Sequence, residues 1–397
     1  MKIALICPST VQPREGKAAC PPLAFSVLTG LTPKKHAVVV FDERAEPLPE
    51  DLEADLVGIT VDLLSARAAY KRAEQFRLRG IRVIFGGYHP TLVPEEGLEY
   101  ADSILIGNAE GIWENVLEDL EGKKLKRIYG SKESPRRDLY GVVYNHDIFR
   151  KESYALPLTV ETLRGCRYRC EFCSIHNFNN RRYLKRKNEE VIEEIKKENY
   201  PYVYFVDDNF IADREHALEL LKMLEQLHIR WSSQISIDVA KDEEALRLMQ
   251  KSGCDYAAIG FESLNERNLR LMGKAPNIAI QDYDKAIKTI HDYNIKIHGF
   301  FIVGYDYDTV DVFDHILDFT KRNRLFLTNV HPLVPVPGTR LYERYKDEGL
   351  IIEDKFWLRE DFRYGPIYHR PKGMSKVELE EGLKRLNAAL DRLNLTR

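Results

Sequence analysis

Three cysteines lie within one short stretch, TLRGCRYRCEFCSIHNF, at Cys166, Cys170 and Cys173. Thiolates are soft metal ligands, and CxxxCxxC spacing lets three of them reach one centre. A structural zinc site wants four ligands in tetrahedral closure. Three thiolates either borrow a fourth ligand, for which His176 is the nearest candidate, or leave a position open. An iron–sulfur cluster held by only three cysteines keeps one iron free for another ligand. The plainest alternative is three buried thiols with no metal. Cys7, Cys20 and Cys254 are scattered and read as packing thiols. Six cysteines in 397 residues do not suggest a disulfide framework; their clustering points to metal or redox chemistry.

Such a loop needs a scaffold, and the pattern around it supplies one. From residue 158 onward, apolar strand runs are expected at 158–163, 202–206, 230–238, 255–261, 296–303 and 326–333. Amphipathic helices fit 188–198, 213–227, 242–252, 280–293 and 309–322, with Asp213, Asp242 and Asp308 as N-caps. Six βα units in series without a dinucleotide fingerprint predict an incomplete barrel. A last helix is expected from Ser375, where SKVE forms a capping box with Glu378.

The first 130 residues alternate in the same way. KIALICP, AVVVFDE, LVGITV, RVIFGG and SILIG read as strands, with helices at 21–32 and 65–80. That order predicts a parallel sheet. Gly58, Gly86, Gly87 and Gly107 fall in or at the ends of these strands. They either make tight βα turns or leave room for a ligand beyond the strand ends, where open parallel sheets bind. Residues 123–157 carry charge, glycine and proline and read as irregular.

With these residues in view, the second block resembles the radical S-adenosylmethionine (SAM) enzymes. RGCRYRCEFCSI looks like their cluster loop, with Arg167 where many relatives have proline. YFVDDNF, SIDVA, AIGFESLN, GFFIVGYD and HPLVPVPGTRLYE resemble their strand-end motifs. The resemblance implies a partial (β/α)6 barrel, in accord with the count of units. It implies that Cys166, Cys170 and Cys173 ligate a 4Fe-4S cluster whose fourth iron takes the SAM amino and carboxylate groups. Phe172 would lie against the adenine. Asp207 and Asp208, the latter preferred, would hold the SAM amine, and Glu262 the ribose or methionyl end. Ser236 stands where many relatives carry an arginine for the SAM carboxylate, so hydroxyl or backbone contacts would have to replace it.

The first block adds a second resemblance. PPLAFSVL, LVGITV and RVIFGGYHPTLVPEEGLEYADSILIGNAEG look like the Rossmann-like cobalamin-binding domain that precedes one class of radical SAM barrel. The implied ligand-facing residues are Gly58, Thr60, Gly86, Gly87, His89 and Glu110. Asn108 stands where glutamate is common. The Asp-x-His-x-x-Gly motif that offers a histidine to cobalt is missing from the loop after the first strand. Cobalamin is therefore expected without a histidine ligand from the protein, and His89 is read as a cofactor-tail contact or a turn residue. The organisation expected is a cobalamin-type domain at 1–130, a linker at 131–157, a barrel at 158–340 and a helical C-terminal extension at 341–397. The tail FWLREDFRYGPIYHRPKGMSKVELEEGLKRL resembles radical SAM proteins near the hopanoid-lipid enzymes.

The function these resemblances imply is a cobalamin-dependent radical SAM C-methyltransferase. A 5′-deoxyadenosyl radical would activate an unreactive carbon of a small, possibly hydrophobic molecule, and methylcobalamin would deliver the methyl group. Cyclisation, rearrangement, desaturation or C–C coupling without methyl transfer is the alternative within the class. A zinc-stabilised, non-enzymatic binding protein is the alternative outside it. An electron donor such as flavodoxin or ferredoxin is the implied partner. Net charge is −3, which gives no broad attraction to nucleic acid. The basic run RRYLKRK reads as a connecting segment followed by a solvated helix. The first residues read as a strand, not a signal peptide, and no apolar run approaches the ~20 residues of a membrane span, so the expectation is a cytoplasmic protein.

Overall fold

The first sheet is built from runs that are apolar on both faces. In strand β1 (Lys2–Cys7), Ile3 through Ile6 are all fully buried, which requires cover on both sides. The structure is a computed structural model that describes residues 1–9, 18–131, 138–149, 153–179, 183–363 and 365–394. β1 pairs in parallel with β2 (Ala37–Asp42) on one side and β3 (Leu56–Thr60) on the other. β4 (Arg82–Gly86), β5 (Ser103–Leu105) and β6 (Ile128–Tyr129) follow, giving the all-parallel order β2-β1-β3-β4-β5-β6. The order reverses between β1 and β3, so a crevice opens beyond the carboxyl ends of these strands. One face carries Leu5, Ile84 and Leu105 against helices Leu23–Leu31 and Trp113–Glu121. The opposite face carries Ile6, Ile59 and Phe85 against helix Ala66–Leu78, with Phe356, Trp357 and Tyr368 from late in the chain.

The second sheet begins at β7 (Thr159–Val160). A short antiparallel pair, β8 (Leu163–Arg164) with β9 (Leu184–Lys185), stands outside it. β10 (Tyr202–Phe205), β11 (Arg230–Gln234), β12 (Cys254–Glu262), β13 (Lys296–Val303) and β14 (Leu327–Pro332) then add in sequence, all parallel. Sequential parallel strands with a helix after each curve into a partial barrel. Phe205, Trp231, Phe261 and Phe301 fill its core. Helix Lys376–Asn394 covers the edge beyond β13 and β14. A Cβ at Gly382 would sit 2.0 Å from the Phe313 ring, so the helix seats there only because that position is bare. Ser375 and Glu378 form the expected reciprocal capping box.

Several local expectations are corrected. The strand read at 158–163 is broken after Val160, because Asp207 captures the backbone N–H and hydroxyl of Thr162 and draws the chain out of the sheet. The strand at 230–238 stops at Gln234 and gives way to a 3-10 turn at Ile237–Lys241. Asp213 and Asp242 cap their helices, each accepting an N–H three residues on. Asp308 does not. It is buried, and its carboxylate accepts from the N–H groups of Gly304 and Tyr305 and from the Asn268 amide, tying the β13 end to helix Glu266–Met272. The helix after it starts at Val312. Cys254 is the first residue of β12, not a residue before it.

The irregular stretch after β6 is packed. Residues 142–144 lie on helix Leu23–Leu31 so closely that a Cβ at Gly30 would meet the Val143 carbonyl at 2.0 Å. Phe149 and Tyr154 enter the first core. Residues 132–137 and 150–152 of this stretch, residues 10–17 of the loop after β1, and Arg181 and Arg182 of the basic run lie outside the described residues. Among the described residues no helix is long and apolar enough to cross a membrane.

Candidate functional site

The cysteine loop leaves β8 and ends in helix Ser174–Phe178. It is held by its backbone. Gly165 donates to Asp208 (2.7 Å), Glu171 donates to the Met272 carbonyl (2.9 Å), and Cys173 closes a turn onto Cys170 (3.1 Å). All three thiols are free. Burial pushes Cys170 up to about 11 and Cys173 up to about 12, with the Lys274 ammonium opposing the shift. The thiols are therefore neutral unless a metal centre supplies the positive charge that makes them thiolates. His176 is buried in the following helix. Among the described residues no three His, Cys, Asp or Glu side chains converge on a single ion, the three thiols included, with or without His176.

The two aspartates after β10 are placed differently. Asp207 is buried and occupied: both oxygens are bonded to Thr162, and burial lifts its carboxyl to about 7. Asp208 has one backbone partner, Gly165, faces an open cavity between the two sheets, and is lifted by burial to about 6. At the end of β12 the register slips between Gly260 and Glu262, and Glu262 takes the left-handed conformation at φ 62°. Its carboxylate meets the Lys274 ammonium at 2.7 Å. Both are largely buried, and Lys274 sits within electrostatic range of Cys170 and Cys173 and 6.0 Å from the centre of the Phe172 ring. Phe172 itself packs on Met272, Tyr305, Leu333, Leu341 and Tyr345. Ser236 is engaged by Asn209, whose amide donates to its hydroxyl at 2.8 Å.

Of this group Asp208 lines a cavity of about 380 Å³. Its floor is the carboxyl end of the first sheet: Gly58 and Thr60 on β3, Gly86 at the end of β4 with Gly87 after it, and Glu110 beyond β5. Its roof is Arg164, Phe178 and Asp208 from around the cysteine loop. Gly87 stands at φ 103°, and a Cβ there would press on the Val61 carbonyl at 2.9 Å, so no other residue fits this turn. At Gly86 a Cβ would meet nothing within 4 Å, so its absence widens the cavity instead of relieving a clash. His89 is not at the cavity. The short helix Tyr88–Leu92 turns its ring to the far side, where it bonds Glu96 at 2.8 Å beneath Trp357.

Sequence reasoning does not find Lys274, Tyr88 or Arg164. Lys274 lies between two helices with nothing in its own neighbourhood to mark it; only the slip at Glu262 brings the pair together. Tyr88 borders the cavity and packs on Phe178, ring centres 4.5 Å apart. Arg164 joins the two halves, contacting Glu110 at 2.8 Å and Glu161 at 2.5 Å.

Two orphaned groups test what the cavity could take. The Asn108 amide nitrogen and both carboxylate oxygens of Glu110 are buried without a hydrogen bond, because Arg164 approaches Glu110 off the hydrogen-bonding line. A large ligand with polar side arms would satisfy them. Three undisulfided thiols beside a buried cation likewise suit an anionic iron–sulfur cluster.

The comparisons with known proteins agree with this arrangement. The model of the radical SAM superfamily matches residues 160–320. Bacteriochlorophyllide d C-8(2)-methyltransferase of Chlorobaculum tepidum is 30% identical over 350 residues, covering 84% of this chain and 78% of that protein. Hopanoid C-2 methylase of Rhodopseudomonas palustris is 25% identical over 355 residues, covering 85% of this chain and 66% of that one. The fold matches the structure of the radical SAM methyltransferase TsrM from Kitasatospora setae with cobalamin and a 4Fe-4S cluster bound, at a TM-score of 0.71, 16% identity, 89% of this chain and 79% of that one. A parallel-sheet domain joined to a three-cysteine partial barrel defines a class, and the sequence likeness narrows it: this chain belongs to the B12-binding radical SAM methyltransferase family.

Proposed function

We propose that the chain is a cobalamin-dependent radical SAM C-methyltransferase that methylates an unactivated carbon of a hydrophobic small molecule. The observation that carries this reading is the shared cavity. The carboxyl end of the first sheet, with its glycine shelf, shares one cavity with Arg164 on β8, Asp208 after β10 and Phe178 on the helix that follows the cysteine loop. When bound, the cluster with SAM supplies one-electron cleavage of a sulfonium, and cobalamin supplies the methyl group.

The chain's own residues do the positioning. Cys166, Cys170 and Cys173 hold the cluster. Asp208 receives the SAM amine, having one oxygen committed to Gly165 and an open cavity before it. Lys274 meets the SAM carboxylate, taking the place of the arginine missing at Ser236, while Glu262 keeps the ammonium in position and faces the ribose. Phe172 covers the adenine. Asp207 is a positioning residue that fixes the β7–β8 corner from which the loop departs. Gly58, Thr60, Gly86, Gly87 and Glu110 cradle the cobalamin, and His89 supports that cradle from behind. The relatives' own names, a chlorophyllide and a hopanoid, support a hydrophobic substrate.

The test is anaerobic reconstitution of the purified protein with iron, sulfide and cobalamin, followed by turnover with methyl-labelled SAM and a reductant. Equal release of 5′-deoxyadenosine and S-adenosylhomocysteine is expected. Release of 5′-deoxyadenosine alone, with no cobalamin retained, would replace methyl transfer by another radical outcome.

A further inference from the structure

One segment touches both halves of the cavity wall. Gly338 stands at φ 78°, and its carbonyl accepts the Asn177 side-chain amide at 2.6 Å, from the helix that ends the cysteine loop. A Cβ at Gly338 would lie 2.9 Å from the Leu92 Cβ, on the helix that follows the glycine shelf. Those two helices also pack on each other through Tyr88 and Phe178. Gly338 is thus the point where shelf, cysteine loop and later chain converge.

From there the segment makes contacts in both directions. Toward the cysteine loop, Leu341 donates to the Glu171 carbonyl (3.0 Å), Arg340 donates to the Arg169 carbonyl (2.5 Å), and Arg344 bonds the Glu171 carboxylate (2.8 Å). Arg344 is itself held by Asp306, which also takes Lys372 and the Tyr345 hydroxyl. Toward the shelf, Trp357 donates to Glu96 at 2.9 Å, and Lys355 stands 3.4 Å from its other oxygen. The same Glu96 oxygen takes His89 (2.8 Å) and Tyr70 (2.9 Å). His89 is two residues after Gly87.

We propose that residues 338–357 form a brace that sets the position of the glycine shelf relative to the cysteine loop, with Gly338, Arg344 and Trp357 as positioning residues. This rests on the function proposed above, because the two loops matter to each other only if each holds a cofactor. A methyl donor on one loop and a radical generator on the other must meet the same carbon, and small misplacement costs rate steeply. The brace bonds to side chains that face away from the cavity, so it acts through the loops and not on ligands.

Hydrogen–deuterium exchange on the unloaded full-length chain reads the brace without any cofactor. Trp357→Phe keeps an aromatic ring, smaller than the indole, and removes the donor to Glu96; Arg344→Gln removes the bonds to Glu171 and Asp306. Each loses a hydrogen bond to a charged group, so exchange in the adjacent loop should quicken about tenfold or more. The brace requires that the distant loop quicken as well: residues 174–178 in Trp357→Phe, and residues 88–92 in Arg344→Gln. Gly338→Val should loosen both at once, and Gly338→Ala more mildly should the valine variant fail to fold. In the loaded enzyme treated with a reductant, the one-electron-reduced cluster and cob(II)alamin are both paramagnetic, and pulsed electron paramagnetic resonance gives their separation. The variants should broaden that distance distribution and lower the ratio of S-adenosylhomocysteine to 5′-deoxyadenosine while SAM cleavage persists. Quickening confined to the adjacent loop in every variant overturns the brace. Failure of the wild type to bind cobalamin overturns the functional reading instead, and leaves the exchange result to decide the brace.

Discussion

The two walls of the cavity are built in opposite ways. The barrel side is rich in charged side chains that are already partnered: Arg164 pairs with Glu161 at the cavity, and outside its lining Glu262 pairs with Lys274 and Asp207 bonds Thr162. The wall from the first domain is mostly apolar, with Gly58, Gly86, Gly87 and Gly107 set among Leu5, Phe25, Leu28, Ile84 and Trp113; the Asn108 amide nitrogen has no hydrogen bond there, and Glu110 has only its ion pair with Arg164. A small charged ligand needs directed partners at fixed points, and buried ion pairs keep those partners from wandering. A large ligand needs space first, and removing Cβ atoms provides it. The contrast teaches that one wall is organised before its ligand arrives and the other is completed by it.

The largest effect that tests this contrast is on the cysteine loop. Cys173→Ala should abolish iron retention and SAM cleavage while the protein still binds cobalamin, as measured by metal content and visible absorption after reconstitution. Loss of both cofactors together would break the separation of the walls. Next is Lys274→Met. Removing one partner of a buried pair costs about 3–5 kcal/mol, so the melting temperature should fall, and SAM affinity measured by calorimetry should drop with it. Lys274→Met with Glu262→Gln should recover much of the stability but not the SAM affinity; recovery of both would make the pair purely structural. Third, Gly86→Leu puts a side chain into open cavity and should weaken cobalamin binding about tenfold or more, near 1.4 kcal/mol or above, with iron content unchanged. Gly86→Ala should be nearly silent.

The smallest effect is on the support behind the shelf. Burial alone would raise the Glu96 carboxyl, but hydrogen bonds from His89, Trp357 and Tyr70 bring it down to about 2. A depressed carboxyl contributes stability that is complete above its unfolded value, 4.5, and is lost as pH falls toward 2. The stability difference between wild type and Glu96→Gln, about 1.5–3 kcal/mol for bonds to a charged group, should be flat above pH 5 and close toward pH 2 in denaturant titrations. A difference that grows on acidification would mean that Glu96 is held protonated in the fold, and the shelf would then lack its charged support.

How much can be read in advance also divides along the two walls. The strands of the first sheet are legible because burial on both faces leaves an apolar run with few alternatives, and β3 and β4 fall where LVGITV and RVIFGG predict them. The cysteines are legible from spacing alone. His89 is close to Gly87 in sequence, which suggests the cavity. Yet a helical turn rotates successive side chains by about 100°, so Tyr88 borders the cavity and His89 faces away. Asp308 has the composition of an N-cap and the position of one. What redirects it is Asn268, forty residues earlier, which no local pattern can show. Lys274 is illegible for the same reason: a buried cation is defined by what surrounds it in space.

The contacts of the late segment have a consequence for biogenesis. Arg344 reaches Glu171 across 173 residues of chain, and Trp357 reaches Glu96 across 261. At about 5–20 residues per second, a ribosome completes the shelf and the cysteine loop roughly 10–50 s before it makes the residues that pin them. During that interval the cysteine loop gains its partners Asp208 and Met272 but lacks Arg340, Leu341 and Arg344, and Glu96 has His89 and Tyr70 but lacks Trp357 and Lys355.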